Sequence, residues 1–548
     1  MAQHRLARTL QDHTFDLIVV GAGLNGAGIA RDAALRGLQV LVVEQEDIGA
    51  ATSAWNSRLI HGGLRYLEHG EIGLVRESLR EREILLRTAP HRVAPLALMV
   101  PVYRHSRRGL GLIRMGMAAY DLLSYDKSLP NHRIYNLSQT RAAEPGLAGE
   151  GLRGAALYYD AQVAYPERLV LDNLLEAQEH GACVLTHTRA DRILRDTDTG
   201  SACGVALSDR LGGARSNAYA PAVINVTGPW VDRLLGRSLS QPKRRIGGTK
   251  GVHVFVRPFP GAPRRGVYAE APQDGRPYFT LPWNGGYLIG TTDTRFAGNP
   301  AEARAEPEDI DYLLAATNRL IPAANLRPSD VCFSYAGVRP LPHTAADAPG
   351  AITRRHLIVS HAPEATGLWS VIGGKLTTYR HLAEQAIDRM AQEQGWKLPA
   401  CSTHRRPLPG AWGDDGGREQ ASLREAGASA GLPAATVERL LQVYGSRAAA
   451  LIERAQNDRT LAAPISPATG AIAAEILHAF EAEGAQTLAD ALLRRTLIAL
   501  GPEAGLDALH AAAAVGRSHL GWDEQRVQEE TTTCERLLKD ILQPAGGA

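Results

Sequence analysis

The 548-residue sequence predicts an α/β protein in three parts: a βαβ region near the N-terminus, an antiparallel β region and a helical C-terminal domain. Two apolar runs of strand length, residues 15–20 and 40–43, flank a helix-favouring segment and predict the first part. Within residues 245–345, short alternating strands are separated by Gly and Pro, which predicts antiparallel sheet. Residues 417–548 are rich in Ala, Leu, Glu and Arg at helical spacing, and these predict the third part.

The sequence GAGLNGAG lies between the two apolar runs, and its glycines Gly21, Gly23 and Gly26 have GxGxxG spacing. The first glycine permits a tight turn, the second lets a pyrophosphate approach the backbone, and the third lets the helix pack on the strand. The N-terminus of the helix then offers free N–H groups to phosphates. Glu44 ends the second strand, where a carboxylate accepts ribose hydroxyls. The pattern predicts a dinucleotide site but does not by itself separate FAD from NAD.

Composition narrows the class of partner. The net charge of +2 gives no general attraction to nucleic acid, so no nucleic-acid partner is expected. Five cysteines, an odd number without CxxC spacing, indicate a reducing compartment and argue against a disulfide framework or a structural zinc, so no metal is expected. No apolar run is long enough to span a bilayer, and residues 1–14 lack a signal-peptide core. The expected location is the cytoplasm or the inner face of a membrane.

Three further segments combine glycine with small or hydroxyl residues: residues 51–66, 225–230 and 373–378. Each alone also fits an ordinary polar loop, a turn, or a capped helix with a solvent lysine. Three Gly-rich segments in one chain favour a flavin, because small residues let the backbone approach a flat ring system. Lys375, at the start of a predicted helix, would stabilise the negative charge of a reduced flavin.

Five cationic side chains stand beside Gly or Pro in apolar or tightly turned sequence: Arg65, His253, Arg339, Arg354 and Lys375. Each one alone is more typical of a surface or a salt bridge, but arginines that converge bind phosphate bidentately. His253 alternates with apolar neighbours on a predicted strand, where a histidine is usually structural.

Residues 103–125 mix arginines with Leu, Ile and Met. This pattern is typical either of a helix in a membrane interface or of a buried amphipathic helix. Just before it, Pro90, Pro95 and Pro101 are expected to break regular structure.

Taken together, these motifs resemble the FAD-dependent glycerol-3-phosphate dehydrogenases of the aerobic, respiratory-chain type. The resemblance covers nearly the whole chain and rests most specifically on LIHGGLRYLE and GGKLTTYR, with NVTGPWVD, IGTTDT, YAGVRPL and LADALLRRT in support. It implies a glutathione-reductase-type FAD-binding domain, an antiparallel β substrate domain and a C-terminal α-helical domain. It also implies oxidation of sn-glycerol 3-phosphate to dihydroxyacetone phosphate, with electrons passing to a membrane quinone. The expected protein is peripheral on the cytoplasmic face of the inner membrane and forms a homodimer.

The resemblance also carries over site residues. Those expected around FAD are Gly21, Ala22, Gly23, Asn25, Gly26, Glu44, Gln45, Ser53, Ser57, His61, Gly62, Gly63, Leu64, Ala190, Thr227, Gly228, Trp230, Gly373, Gly374, Lys375, Leu376 and Thr377. Those expected around the substrate are Arg65, Tyr66, His253, Arg339, Arg354 and Lys375. Within this set, His253 and Arg339 are the expected catalytic residues. His253 is the favoured base for the C2 hydroxyl proton, with His61 a weaker candidate.

The sequence departs from the family pattern in the flavin loop. Arg58 stands where lysine is common, Ala54-Trp55-Asn56 replaces a small, polar triplet, and Val226 replaces alanine. These departures concern the geometry of the loop rather than the cofactor.

The expected domain division follows from the motifs and the resemblance. It consists of a flexible N-terminus (1–14), the FAD-binding domain in three parts (15–95, 151–245 and 351–400), a connecting and possible membrane-proximal segment (96–150), the substrate-binding β domain (246–350), a linker (401–416) and the helical domain (417–548).

Three alternatives stay open at this point. The same chemistry with oxygen as acceptor would make the protein a glycerol-3-phosphate oxidase. An amine or amino-acid oxidase of the D-amino-acid oxidase superfamily is disfavoured by the cation-rich substrate positions. A flavin-stabilised, non-catalytic RNA binder is disfavoured by the near-zero net charge.

Overall fold

The fold is that of a computed structural model, which describes residues 10, 14–344 and 352–543. Most of the predicted flexible N-terminus, 1–14, lies outside the described residues, as does the end of the predicted substrate domain from residue 345 onward.

The strands form four sheets. In chain order they are β1 (Leu17–Val20), β2 (Val40–Val43), β3 (Leu59–Ile60), β4 (Val93–Tyr103), β5 (Arg133–Asn136), β6 (Leu152–Val163), β7 (Cys183–Leu185), β8 (Thr188–Arg195), β9 (Ala202–Asp209), β10 (Arg215–Tyr219), β11 (Ala222–Asn225), β12 (Thr249–Val256), β13 (Gly266–Glu270), β14 (Pro277–Trp283), β15 (Gly286–Gly290), β16 (Thr294–Arg295), β17 (Val331–Arg339), β18 (Leu357–Ser360), β19 (Leu368–Ile372), β20 (Pro464–Ser466) and β21 (Ala471–Ile472).

The helices cover the sheets and build the C-terminal domain. In chain order they are α1 (Leu24–Leu35), α2 (Ile72–Thr88), α3 (Leu110–Leu123), α4 (Leu137–Ala143), α5 (Pro166–Glu179), α6 (Val231–Gly236), α7 (Pro307–Leu320), α8 (Tyr379–Gln394), α9 (Gly416–Ser429), α10 (Ala434–Tyr444), α11 (Ala448–Asn457), α12 (Ala473–Glu481), α13 (Leu488–Asp490), α14 (Leu509–His519) and α15 (Glu524–Leu542).

A six-stranded sheet in the order β18-β19-β11-β1-β2-β7 forms the first layer, and all its strands except β18 run parallel. Leu17 and Val19 point into the core shared with α1, α5 and α8, whereas Ile18 and Val20 point into the core shared with β8, β9 and β10. Because both faces are covered, the strand is apolar at every position rather than at alternate ones. The βαβ unit predicted from the sequence is confirmed.

A ten-stranded sheet forms the second layer, in the order β16-β12-β15-β14-β13-β4-β6-β3, with β17 added on β12 and β5 on β6. Its pairs are antiparallel except the pair of β13 with β4. The predicted antiparallel region is therefore present, but it draws strands from well before residue 246.

The expected domain division differs from the structure in this sheet. The expected boundaries assign 96–150 to a connecting segment and 151–245 to the FAD-binding domain, yet β4 and β6 pair along their whole lengths. Pro95 and Pro101 do not break β4, because its second neighbour, β13, reaches only Leu98 and Met99. Away from those two residues one edge of β4 has no ladder, and a proline that lacks an N–H costs nothing there.

The C-terminal domain starts at α9, after a stretch without helix or strand that includes the predicted linker. It is mainly helical, as predicted, and its large apolar core is continuous with side chains of the second layer such as Phe255, Trp283 and Phe333. Buried ion pairs join it to the first layer: Arg168 of α5 pairs with Glu483 at 2.6 Å, and Arg495 pairs with Asp47 at 2.6 Å. Among the described residues, no helix has both the length and the apolar character that crossing a bilayer demands.

The buried pair of Arg168 and Glu483 provides a test of this interface. Glu483→Gln should lower the free energy of unfolding by about 3–5 kcal/mol, since it leaves a buried guanidinium without its carboxylate. Glu481→Gln is the matched control: its pair with Arg454 is partly exposed, and the loss should stay within about 1 kcal/mol. Urea unfolding of the two variants measures both values, and equal losses would contradict the assignment.

Candidate functional site

A cavity of about 1510 Å³ opens where the two sheets and the C-terminal domain meet. It is larger than the roughly 300–1,000 Å³ typical of a pocket for one small ligand. Its walls come from the carboxyl ends of β1, β2 and β11, from the end of β17 and from α15. In a doubly wound sheet, ligands bind at these carboxyl ends.

The glycine turn forms one end of the cavity. Gly21 has φ +113°, and Gly23 caps the N-terminus of α1. A Cβ on Gly26 would lie 1.9 Å from the carbonyl oxygen of Gly21, so no side chain fits between turn and helix. The N–H of Leu24 donates to Ser53 Oγ at 2.8 Å, which fastens the following loop over the helix N-terminus. This turn therefore presents helix N–H groups to the cavity, as phosphate binding requires.

Glu44 stands beside the turn. Its Oε2 accepts the N–H of Ala22 at 2.8 Å and its Oε1 accepts the N–H of Glu46 at 3.0 Å. Burial raises the pKa of Glu44 to about 7, against the lowering effect of the Ala22 hydrogen bond. A buried carboxylate of this kind gains from further donors such as the two hydroxyls of a ribose.

Most residues predicted around the cofactor line this cavity. They are Gly21, Gly23, Asn25, Glu44, Gln45, Ser53, Ser57, His61, Ala190, Thr227, Gly228, Trp230, Gly373, Gly374, Lys375, Leu376 and Thr377. Five others are not among the residues that line it: Ala22, Gly26, Gly62, Gly63 and Leu64. At the three glycines among them, close packing leaves no room for a side chain. At Gly63, with φ +83°, a Cβ would meet the ring of Tyr66 at 2.2 Å.

Lys375 and His61 form the middle of the cavity. The ammonium of Lys375 donates to the carbonyl oxygens of His61 and Gly62 at 3.2 and 3.3 Å and to Ser78 Oγ at 2.8 Å. Burial lowers the pKa of Lys375 to about 7. Burial, with the charges of Lys375 and Arg82, lowers the pKa of His61 to about 3. The lysine therefore holds the backbone around His61 rather than projecting freely into the cavity.

Three arginines converge on one carboxylate at the far end. Asp293 lies 3.1 Å from Arg339 Nη1 and 3.4 Å from both Arg354 Nη2 and Arg276 Nη1. Burial opposes ionisation of Asp293, but Arg339 and Arg354 outweigh it and keep the pKa of this carboxyl below its ordinary value. The nearby Tyr66 also lines the cavity, as do Arg339 and Arg354. Sequence analysis missed Arg276 and Asp293; the only available signal for Asp293 was its place in the IGTTDT motif.

His253 and Arg65, both predicted in the substrate site, are not among the residues that line the cavity. His253 is buried and its Nε2 lies 2.8 Å from Ser57 Oγ, so that Ser57 stands between it and the cavity. Its ring stacks on Tyr335 with centroids 5.1 Å apart, and burial lowers the pKa of His253 well below its ordinary value. Side chains alternate along β12, and His253 lies on the face that packs in the core. The sequence pattern did not show which face that is.

These features fit a flavin dinucleotide. The glycine turn offers space and N–H groups for a pyrophosphate, Glu44 offers an acceptor for a ribose, and the segment from Gly373 to Thr377 offers backbone to a flat ring.

Comparison with known proteins agrees with this geometry. Residues 16–380 match the family model described as FAD dependent oxidoreductase, and residues 401–527 match the C-terminal domain of alpha-glycerophosphate oxidase. A glycerol-3-phosphate dehydrogenase of Synechocystis sp. is 43% identical over 532 residues, which cover 95% of this chain and 96% of that protein. Glycerol-3-phosphate dehydrogenase 2 of Mycobacterium tuberculosis is 35% identical and covers 99% of this chain and 92% of its own length.

A solved structure is also similar over the whole chain. The glycerol-3-phosphate dehydrogenase from Bacillus halodurans, complexed with FAD, has a TM-score of 0.77 and 28% sequence identity, with 98% of each chain covered. The chain thus belongs to the FAD dependent oxidoreductase family, in the branch of the glycerol-3-phosphate dehydrogenases. FAD is its cofactor, and the predicted fold class is confirmed.

The close contact at Gly26 gives a prediction about cofactor retention. Gly26→Ala should yield protein with little bound FAD, because the added carbon would overlap the Gly21 carbonyl and displace the turn. Gly236→Ala is the control, since a Cβ there meets nothing within 4 Å. The ratio of flavin absorbance to protein absorbance measures the effect. Full flavin content in the Gly26 variant would show that the turn tolerates a side chain.

Proposed function

We propose that this protein oxidises sn-glycerol 3-phosphate to dihydroxyacetone phosphate and delivers the electrons to a membrane quinone. The observation that carries the proposal is the group of three arginines around Asp293, of which Arg339 and Arg354 line the cavity. The names of the full-length relatives support the same substrate.

The charge of the arginine group suits a phosphate monoester. Arg276 also pairs with Asp274, so three guanidiniums and two carboxylates give 3 − 2 = +1, and a phosphate monoester carries about −1.5 to −2 at pH 7. Arg339 and Arg354 line the cavity and present planar donors to the phosphate, while Tyr66 beside them faces the glycerol. Fixing the phosphate orients the C2–H bond for hydride transfer. This orientation is the main way in which positioning the substrate speeds such a reaction. The cation-rich character of this group disfavours the amino-acid oxidase alternative.

When bound, FAD supplies the hydride acceptor. The protein must take the C2 hydroxyl proton, and two histidines are candidates. His61 lines the cavity directly, whereas His253 reaches it only through Ser57 Oγ. A base must be within hydrogen-bond reach of the proton that it accepts, either directly or through one intermediary. We therefore assign the base to His61 and give His253 a supporting role, which reverses the preference drawn from the sequence.

The stated substrate predicts a strong effect at Arg339. Arg339→Met should lower kcat/KM for glycerol 3-phosphate by roughly tenfold to a hundredfold. This corresponds to losing about 1.5–3 kcal/mol, the contribution of a hydrogen bond to a charged group. Arg257→Met is the control, because Arg257 is exposed and pairs only with Glu503 near the same sheet. Steady-state kinetics with both variants, and with glycerol in place of its phosphate, tests the role. A change below threefold in the Arg339 variant would remove the proposed phosphate site.

The two histidines give opposite predictions. His61→Gln should lower kcat by about 10²- to 10⁴-fold, as expected for a lost general base, and His253→Gln by less than about tenfold. Since the pKa of His61 is about 3, the histidine is neutral and a weak base at every pH well above that value. The pH profile of kcat/KM should therefore show no inflection from His61 between pH 5 and 8. A larger loss in the His253 variant would return the assignment to that residue.

The exposed face of α3 supports a membrane acceptor. Leu112, Met115, Leu122 and Tyr125 are 55%, 65%, 74% and 77% exposed, and lie along one side of this helix and its continuation. The helix also packs against the short helical segment Leu64–His69, which carries Tyr66 of the cavity. Apolar side chains in such an array bind the boundary between lipid headgroups and acyl chains. The homodimer expected from the sequence stays a prediction.

Placing negative charges on this face should impair quinone reduction and leave substrate oxidation intact. Leu112→Glu with Leu122→Glu should reduce binding to phosphatidylethanolamine/phosphatidylglycerol vesicles and lower quinone reduction there by about tenfold or more. Activity with a water-soluble dye should persist. Tyr219→Glu, at an exposed position on β10, is the control and should change neither. Vesicle binding unchanged in the double variant, or hydrogen peroxide formed in preference to reduced quinone, would favour the oxidase alternative.

A further inference from the structure

Arg494 is a buried cation for which the proposed reaction has no use. It is 4% exposed and lies in the π-helical turn Ala491–Arg495 of the C-terminal domain. The residue lines the same cavity as the glycine turn, and its guanidinium lies 5.4 Å from the ring centroid of Trp55. Both Nε and Nη1 are buried without a hydrogen-bond partner among the described residues. A buried donor left unpaired costs about 1–3 kcal/mol or more for a charged group.

The acidic residues near Arg494 already have other partners. Asp47 forms a bidentate pair with Arg495 at 2.6 and 2.9 Å, and Glu167 forms one with Arg58 at 2.9 and 3.0 Å. Asp490 accepts from His187 Nε2 at 3.0 Å and from two backbone N–H groups. These carboxylates are therefore already paired, and the cavity that Arg494 lines is the open space beside it.

The position of Trp55 indicates which acceptor this is. Trp55 belongs to the loop whose Ser53 Oγ accepts the N–H of Leu24, the first residue of α1. The N–H of Trp55 donates to the carbonyl of Ala51 at 3.2 Å, so Trp55 and Ser53 belong to one tight turn over the helix N-terminus. A pyrophosphate at this helix N-terminus lies on the cavity side of that turn. Arg494 lies over the ring of this tryptophan, and so next to the same turn.

We propose that Arg494 binds the pyrophosphate of FAD, so that the C-terminal domain contributes a phosphate ligand to the cofactor site. Charge-assisted hydrogen bonds from a guanidinium to phosphate oxygens satisfy the donors that the protein leaves unpaired. FAD binding is then coupled to docking of the C-terminal domain, because the guanidinium reaches the cavity only when that domain is in place. This inference does not depend on the proposed substrate.

The test measures FAD affinity, with no turnover. Apoprotein is titrated with FAD by quenching of flavin fluorescence, for the wild type and for Arg494→Met, which keeps most of the side-chain volume. The Kd for FAD should rise about tenfold or more in this variant. Arg526→Met is the matched control: Arg526 also lies over a tryptophan, Trp522, and lines the cavity, but it pairs with Glu530, and its loss should change Kd by less than about twofold. A Kd within twofold of wild type for Arg494→Met overturns the proposal.

A second variant covers the case in which Arg494→Met disturbs folding. Arg494→Lys restores a phosphate-binding charge, so its Kd should lie within about threefold of wild type, with the apoprotein unfolding temperature recorded for each variant. Equal Kd values for the lysine and methionine variants would show that Arg494 acts through packing on Trp55 and would overturn the proposal. Failure of the wild type to oxidise glycerol 3-phosphate would leave these results unaffected.

Discussion

A single carboxylate, that of Asp293, holds together the part of the cavity where the two sheets meet. Arg276 directly precedes β14, Arg339 ends β17, and Arg354 precedes β18 of the six-stranded sheet. Three separate chain segments therefore meet at one residue. Without a carboxylate, three guanidiniums in this partly buried site would repel one another. With Asp293, and with Asp274 on Arg276, they stay together and keep a net charge of +1, which attracts an anion. The substrate end of the cavity depends on this arrangement.

The cofactor end of the cavity depends on a different constraint: the backbone at the glycine turn is packed so closely that no side chain fits there. Gly21 and Gly26 let α1 begin directly against the turn that follows β1, and this places helix N–H groups at the cavity wall. The C-terminal domain then closes the cavity from outside, held by buried pairs such as Arg168 with Glu483. Removing one partner of such a buried pair is strongly destabilising. The domain is therefore held firmly against the first layer and forms a wall of the cavity. The cavity is thus a joint product of three layers of the fold.

The sequence was informative where the signal is local and weak where residues meet from a distance. The turn from Gly21 to Glu44 could be predicted because strand, glycines, helix and acid occur in order within thirty residues. Arg276 and Asp293 could not, because nothing in their local sequence shows that β14, β17 and the segment before β18 converge. For His253, a strand pattern gives the period of its side chains and not which face meets the cavity, so its expected role as the base stays a prediction. The prolines of β4 were read as breaks because the sequence does not show which edge of a strand is unpaired.

His61 and Tyr66 line the same cavity as the glycine turn and the arginines Arg339 and Arg354. In the proposed function, a small phosphorylated alcohol bound by the arginine group reduces the flavin. An anaerobic titration of the purified holoprotein with sn-glycerol 3-phosphate, followed at the flavin absorbance band, measures this step. We expect bleaching by glycerol 3-phosphate and no bleaching by glycerol at the same concentration. A flavin that stays oxidised with glycerol 3-phosphate, or that glycerol bleaches equally well, would contradict it.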